Sequence, residues 1–219
     1  MDVDALVAVP TGSLRAELWW RHCFLPADPR AQDPLYVSAT TESRWQTVEG
    51  TLYLGDRATT VWCEYLRNTA PQVEAADPTG GISLASESEV RALAREPLDV
   101  VPRGLWRVRV DLGRVVNFTT SDGREALEQA DVDLEDLMAD DYGVCPDIAA
   151  AHTRFGWEAI VAPSAAHEAG QCIAVFPPHY PPRRLWQQVE EAALPTVLHA
   201  YLTRFKDGER PSWLPVLVA

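Results

Sequence analysis

Three side chains of this sequence could act together on one substrate: Arg44, Tyr53 and Glu64. An arginine presents a planar fork of donors that suits a pyrophosphate. A tyrosine ring can stack on a flat heterocycle while its hydroxyl donates. A carboxylate can hold ribose hydroxyls and stabilise a developing oxocarbenium ion. Together these are the parts needed to split an N-glycosidic bond in a dinucleotide. Each is ordinary when taken alone, since an Arg on a hairpin, a Tyr in a strand and a Glu on a helix usually serve structure.

The surrounding pattern supplies elements that would bring the three to one edge of a sheet. Residues 41–45 form a polar approach to a hairpin. Thr51 to Gly55 is a short strand closed by a glycine. Arg57 to Arg67 carries Ala58, Val61, Trp62, Tyr65 and Leu66 at helical spacing, with Asp56 as a plausible N-cap. Glu64 therefore sits on a helix that follows the Tyr53 strand closely.

Residues 1–14 read as a lead-in, and Glu17 to Phe24 as a strand. Residues 25–34, with three prolines, read as a loop, and Leu35 to Ser38 as a short strand. A surface loop over 69–86 and a short helix over 87–95 follow. Leu105 to Asp111 alternates as a strand with one buried face, and Val115 to Phe118 is a further extended piece. Asp122 and Glu125 suggest a capping box for a helix over 123–130, with another helical turn at Leu134 to Met138. Asp147 to Phe155 reads as a helix that Gly156 stops in a left-handed conformation. Glu158 to Ala162 and Cys172 to Phe176 read as buried strands. Four prolines in 177–182 end the core. Leu185 to Leu194 reads as an amphipathic helix, and the tail 195–219 carries no clear element. Strands and helices mix without regular alternation, which predicts an α+β domain rather than a doubly wound sheet. The 219 residues suit one domain better than two.

Composition narrows the function classes. The net charge of -13 argues against non-specific nucleic-acid binding, because phosphates are repelled. The plain reading of that acidity is solubility. Cys23, Cys63, Cys145 and Cys172 form no C-x-x-C pair and no Cys/His cluster of zinc spacing. They read as reduced thiols, which fits a cytoplasmic protein. The acidic start Met1-Asp2-Val3-Asp4 is unlike a secretory signal. No apolar run approaches the ~18 residues of a membrane span.

The remaining polar residues offer weaker signals. His22, His152, His167, His179 and His199 are scattered and read as surface or packing residues, although His167, three residues after Ser164, could edge a pocket. Ser164 lacks a nucleophile elbow and reads equally as a turn-capping hydroxyl. The acidic run Asp131 to Asp141 lacks calcium-loop spacing, so no metal site is expected. Trp186 and the apolar tail Trp213 to Val218 are candidates for self-association or partner docking, with packing on the domain's own core the alternative.

The motifs taken in order resemble the RES family, the toxin components of RES–Xre toxin–antitoxin pairs. Ser43-Arg44-Trp45-Gln46, Thr51-Leu52-Tyr53-Leu54 and Glu64 are similar to its first segment. Gly156-Trp157-Glu158-Ala159-Ile160-Val161-Ala162-Pro163-Ser164 resembles its second block, and Gln171 to Phe176 its closing strand. Leu105 to Phe118 matches the strand between them, so the resemblance spans residues 17–177, with 178–219 an extension. It implies an ADP-ribosyltransferase-like fold with a mixed or antiparallel sheet core. It implies NAD as substrate with no cofactor, and cleavage by hydrolysis or phosphorolysis or else transfer of ADP-ribose to a protein. By the same resemblance Arg44 would grip the phosphates, helped by Arg21, and Tyr53 would position the nicotinamide. Glu64 would hold the ribose and stabilise its cation, while Trp45 and Ser164 would belong to the pocket. An Xre-type helix-turn-helix antitoxin is the implied partner. The chain departs from the family's pattern at Ser43, Gln46, Ala166 and Gln171. A non-catalytic, partner-binding protein is the reading those departures keep open.

Overall fold

The computed structural model describes residues 1–24, 43–58, 60, 61, 64, 103–139, 142–167 and 170–189. The strand expected at 35–38, the loops at 25–34 and 69–86, the helix at 87–95 and the tail 195–219 lie outside them. So do Trp62, Tyr65 and Leu66 of the helix expected over 57–67.

Six strands make one mixed sheet: β1 (Thr11–Phe24), β2 (Leu52–Gly55), β3 (Arg103–Asn117), β4 (Ala159–Pro163), β5 (Gln171–Val175) and β6 (Trp186–Val189). The pairings return on themselves. β1 pairs β2 at Trp20 and Gly55, β2 pairs β5, and β5 pairs β4, all antiparallel. β4 then runs parallel to β3, and β3 lies antiparallel along almost the whole of β1. Five strands thus form a ring that leaves few open edges. β6 adds to β3 over Leu105 to Val108. Ala16, at φ 56°, sits where the β1–β3 register shifts, which is the signature of a bulge.

Strand alternation sorts the core into two clusters. Leu52 and Leu54 of β2, Val108 and Val110 of β3, Ala159 and Val161 of β4, and Ile173 and Val175 of β5 pack together on one face. Their neighbours Tyr53, Ile160, Ala162, Ala174 and Phe176 point to the other face. That second face is covered by α1 (Ser121–Gln129), α2 (Cys145–Ala150) and the N-terminal 3-10 helix Val3–Ala8, whose Leu6 is fully buried. The irregular order of elements makes this an α+β fold, as its mixed pattern in the sequence implies.

The structure corrects several local expectations. Residues 1–14 are not a lead-in: they form a 3-10 helix capped by Asp2 and the start of β1, tied down by Asp2 N–H to the Ala130 carbonyl. The pieces at 105–111 and 115–118 are one strand, because β1 pairs through the interval between them. The cap of α1 is Thr120, whose hydroxyl accepts the Gly123 N–H, rather than an Asp122–Glu125 box. The helical turn near Leu134 to Met138 is 3-10 in form over Asp136–Met138. The helix over 147–155 divides into α2 and α3 (His152–Phe155), and Gly156 ends it at φ 67° as its position implies. The amphipathic helix expected from Leu185 is instead a 3-10 turn, Arg183–Leu185, followed by β6. The free edge of β3 outweighs the helical pattern there, and Trp186 Nε1 donates to the Pro181 carbonyl at 2.9 Å. No helix among the described residues is long and apolar enough to cross a membrane.

Candidate active site

Glu64 reaches the sheet because Gly55 lets the following helix pack tightly on the end of β2. A Cβ at Gly55 would fall 2.8 Å from Val61 Cγ1 and 3.2 Å from Thr60 Cβ, so any side chain there would push the helix away. Thr60 and Glu64 are four residues apart and share one helix face. Both face the turn that leaves β4.

Three donors converge on one oxygen of Glu64. Ser164 Oγ donates to Oε1 at 2.6 Å, the Ala166 N–H at 3.3 Å, and the Cys172 thiol at 3.7 Å. Ser164 Oγ also accepts the N–H groups of Ala166 and His167 at 3.2 and 3.0 Å. It is therefore both the turn-capping hydroxyl and a partner of Glu64. Among the described residues Glu64 Oε2 makes no hydrogen bond. Burial, then the negative charges of Glu64 and Asp56, hold the Cys172 thiol well above the usual thiol range. It stays protonated and remains a donor to Glu64.

A second network braces the same turn. Thr60 Oγ1 donates to Asp56 Oδ1 at 2.6 Å and meets His167 Nδ1 at 2.9 Å. Asp56 Oδ1 also accepts the Gln171 N–H at 3.1 Å, and the Asp56 N–H donates to the Gln171 carbonyl at 2.9 Å. Gly170 lies over this network: a Cβ there would sit 2.5 Å from His167 Nδ1 and 2.6 Å from Thr60 Oγ1. Gln171 Nε2 continues to Thr119 Oγ1 at 3.2 Å.

The other residues singled out in the sequence lie on the same sheet face as Glu64 or on the strand beside it. Cys172 stands opposite Gly55 and Ala174 opposite Tyr53, so Tyr53 and the Glu64 contacts share one face of β2 and β5. Two residues of strand, roughly 7 Å, separate Tyr53 from Gly55. The Tyr53 hydroxyl accepts the Trp45 N–H at 2.6 Å and lies 3.0 Å from Ser43 Oγ. Burial raises its pKa well above the tyrosine norm, despite the opposing hydrogen bonds to Ser43 and Trp45. Arg44 Nη1 donates to the carbonyls of Leu137 and Ala139 at 2.5 and 2.9 Å, and its guanidinium lies 5.2 Å from the Tyr142 ring centre. Its Nη2 and Nε make no hydrogen bond among the described residues. Arg21 Nη1 donates to the Tyr53 carbonyl at 3.3 Å. Trp45 is 2% exposed and stacks on Phe118 at 6.4 Å between centroids. That burial argues against a substrate contact and makes it a core residue.

Sequence reasoning thus reached Glu64 and Ser164, and touched on Asp56 as a helix cap and His167 as a pocket edge, but passed over Thr60 and the role of Cys172. Thr60 was legible in the four-residue spacing from Glu64, and His167 in its place three residues after Ser164. Cys172 carried no signal beyond its residue type. No group of three or more His, Cys, Asp or Glu side chains among the described residues is disposed to hold a metal ion.

No protein-family model matches the sequence, and no curated protein does. The fold is similar to that of a chain in the crystal structure of the M. tuberculosis MbcT–MbcA toxin–antitoxin complex, with a TM-score of 0.58 and 19% identity. The match covers 92% of this chain and 96% of that one. At this identity the likeness is one of fold.

Proposed function

We propose that this chain is a RES-type toxin of a toxin–antitoxin pair, and that it consumes NAD by splitting the bond between nicotinamide and ribose. The observation that carries the reading is the state of Glu64. Three donors hold one carboxylate oxygen, and the other makes no bond among the described residues. A carboxylate held in this way suits a ribose hydroxyl and a developing cation, because its orientation is set before substrate arrives. The ordered motifs of the sequence and the likeness to a chain of a toxin–antitoxin complex support the same reading.

In this mechanism the C1′–N bond breaks and its electron pair goes to the pyridinium nitrogen. Nicotinamide leaves neutral, so no general acid is needed. The cationic ribose forms beside Glu64 Oε2. Water, losing a proton, captures C1′ to give ADP-ribose, or phosphate captures it to give ADP-ribose 1″-phosphate. Arg44 is anchored to the Leu137 and Ala139 carbonyls through Nη1, which leaves Nη2 and Nε as the edge for a phosphate. The Tyr53 ring would flank the nicotinamide end while its hydroxyl stays on Trp45. Ser164 would act on Glu64 rather than on NAD. Arg21 would assist with the phosphates from β1. The toxin reading carries a cytoplasmic setting and an Xre-type helix-turn-helix antitoxin as partner.

The test is incubation of purified protein with NAD, with and without phosphate, followed by separation of the products. Free nicotinamide with ADP-ribose or its phosphate is expected, and the dependence on phosphate names the acceptor. Label from NAD appearing on a protein band would replace breakdown with ADP-ribose transfer. NAD left intact in both buffers would overturn the enzymatic reading and leave a partner-binding protein.

A further inference from the structure

We propose that Asp56, Thr60 and His167 form a positioning relay that fixes the turn over 164–167, and through it the orientation of the Glu64 carboxylate. The inference rests on the NAD-cleaving reading of Glu64 and adds residues that touch neither substrate nor the reacting atoms. Thr60 has one hydroxyl proton. Asp56 Oδ1, a carboxylate oxygen that only accepts, takes it at 2.6 Å. The 2.9 Å contact between Thr60 Oγ1 and His167 Nδ1 must then use the imidazole's proton. The relay therefore fixes the Nδ1–H form of His167.

The geometry clamps the turn from both ends. Thr60 and Glu64 lie one helical turn apart on the same face, and each grips the same four-residue segment. Thr60 holds it through the His167 ring, and Glu64 through the Ser164 hydroxyl and the Ala166 N–H. Within the segment, the Ala166 and His167 N–H groups close on Ser164 Oγ, so a shift of His167 moves the donors of Glu64 with it. Asp56 is fixed in turn by two hydrogen bonds with Gln171 at the start of β5, one from the Gln171 N–H to its Oδ1 and one from its own N–H to the Gln171 carbonyl. Thr60 is fully buried, and Ser164 and His167 are 3% and 9% exposed, while Asp56 is partly exposed and its Oδ2 pairs with Arg57 Nε at 3.2 Å. The absent side chain at Gly170 is what lets Thr60 and His167 meet. Reacting groups tolerate about 0.5 Å of displacement, so a loosened turn is felt at Glu64.

The experiment compares full-length wild type, Thr60→Val and Thr60→Ser for kcat and KM on NAD, for melting temperature, and for the ¹⁵N signals of the His167 ring. Valine keeps the shape and removes the hydroxyl; serine keeps the hydroxyl. Thr60→Val is expected to lower kcat roughly 10- to 100-fold with KM for NAD nearly unchanged, as a small misplacement does. Thr60→Ser should recover most of that loss. His167 should be protonated at Nδ1 in wild type and lose that preference in Thr60→Val. A folded Thr60→Val with wild-type kcat overturns the proposal, and so does a Thr60→Ser as impaired as Thr60→Val. A wild-type His167 protonated at Nε2 overturns it whatever the variants do, including a Thr60→Val that fails to fold. If wild type does not consume NAD, the functional reading fails on its own, and the ring tautomer still decides whether the relay exists.

Discussion

Two polar regions on one face of the sheet use the same kinds of residue for opposite ends. Around Tyr53, the polar atoms are turned inward to hold the chain together. The hydroxyl takes the Trp45 N–H and lies 3.0 Å from Ser43 Oγ. Around Glu64 the bonds are lopsided, with three donors on Oε1 and none on Oε2 among the described residues. A fully engaged polar group stabilises a fold, whereas a carboxylate fixed at one oxygen is prepared for a ligand at the other. The contrast teaches that residue type alone does not mark a reactive group; the distribution of its partners does.

The sharpest way to break the contrast is at Ser164. A hydrogen bond to a charged group is worth about 1.5–3 kcal/mol, so Ser164→Ala should slow NAD turnover per folded molecule roughly 10- to 100-fold, with some loss of stability because the Ala166 and His167 N–H groups lose their acceptor. Steady-state kinetics beside a melting curve checks this. Unchanged turnover would mean that the orientation of Glu64 does not matter. At Tyr53 the reverse is expected. Tyr53→Phe strands the buried Trp45 N–H and should lower the unfolding free energy by about 1–3 kcal/mol in a denaturant titration. Turnover per folded molecule should stay near wild type. A dead but stable Tyr53→Phe would show that the phenol does chemistry and erase the distinction between the two regions.

The smallest effect sharpens the comparison through pH. Burial raises both Cys172 and Tyr53 above their ordinary values of 9.0 and 10.0; the charges of Glu64 and Asp56 add to it at Cys172, and the hydrogen bonds to Ser43 and Trp45 oppose it at Tyr53. The folded protein keeps protons that the unfolded chain releases. Stability from these groups is therefore full below about pH 9 and falls as pH rises, by at most about 1.4 kcal/mol per pH unit for each group. Denaturation followed from pH 8 to 11 should show the decline beginning near the thiol's ordinary value. Cys172→Ala should remove the earlier part of the decline and Tyr53→Phe the later part. A flat profile in wild type would contradict the burial of both groups.

The elements that carry Glu64 were legible in the sequence because they are local, although its partners Ser164, Ala166 and Cys172 lie 100, 102 and 108 positions away. Gly55 ends a strand, Asp56 opens a turn, and Ala58 and Val61 set a helical period that carries Glu64 to the sheet. Ser164 follows an apolar strand that ends in Pro163, and it too was readable. On the Tyr53 side the hydroxyl's partners Ser43 and Trp45 lie only ten and eight positions away, but the anchor of Arg44 is distant. The Arg44–Leu137 bond spans 93 positions, and nothing in the hairpin sequence announces it. The same physics explains β6. Its residues alternate poorly and were read as a helix, yet the available edge of β3 captures them. The join of 105–111 to 115–118 was hidden by Gly113-Arg114, which interrupts the alternation while the ladder with β1 continues on either side.

The measurement that tests the central claim most directly is nicotinamide release from NAD by wild type and by Glu64→Gln, on protein shown to be folded. Gln keeps the shape and the hydrogen-bonding reach of Glu64 but cannot stabilise a cation. The account predicts that wild type releases nicotinamide and that Glu64→Gln, with a wild-type melting profile, releases it at least roughly 100-fold more slowly, the scale of a lost electrostatic contact in a transition state. Equal release by the two proteins would contradict the account and move the chemistry away from Glu64.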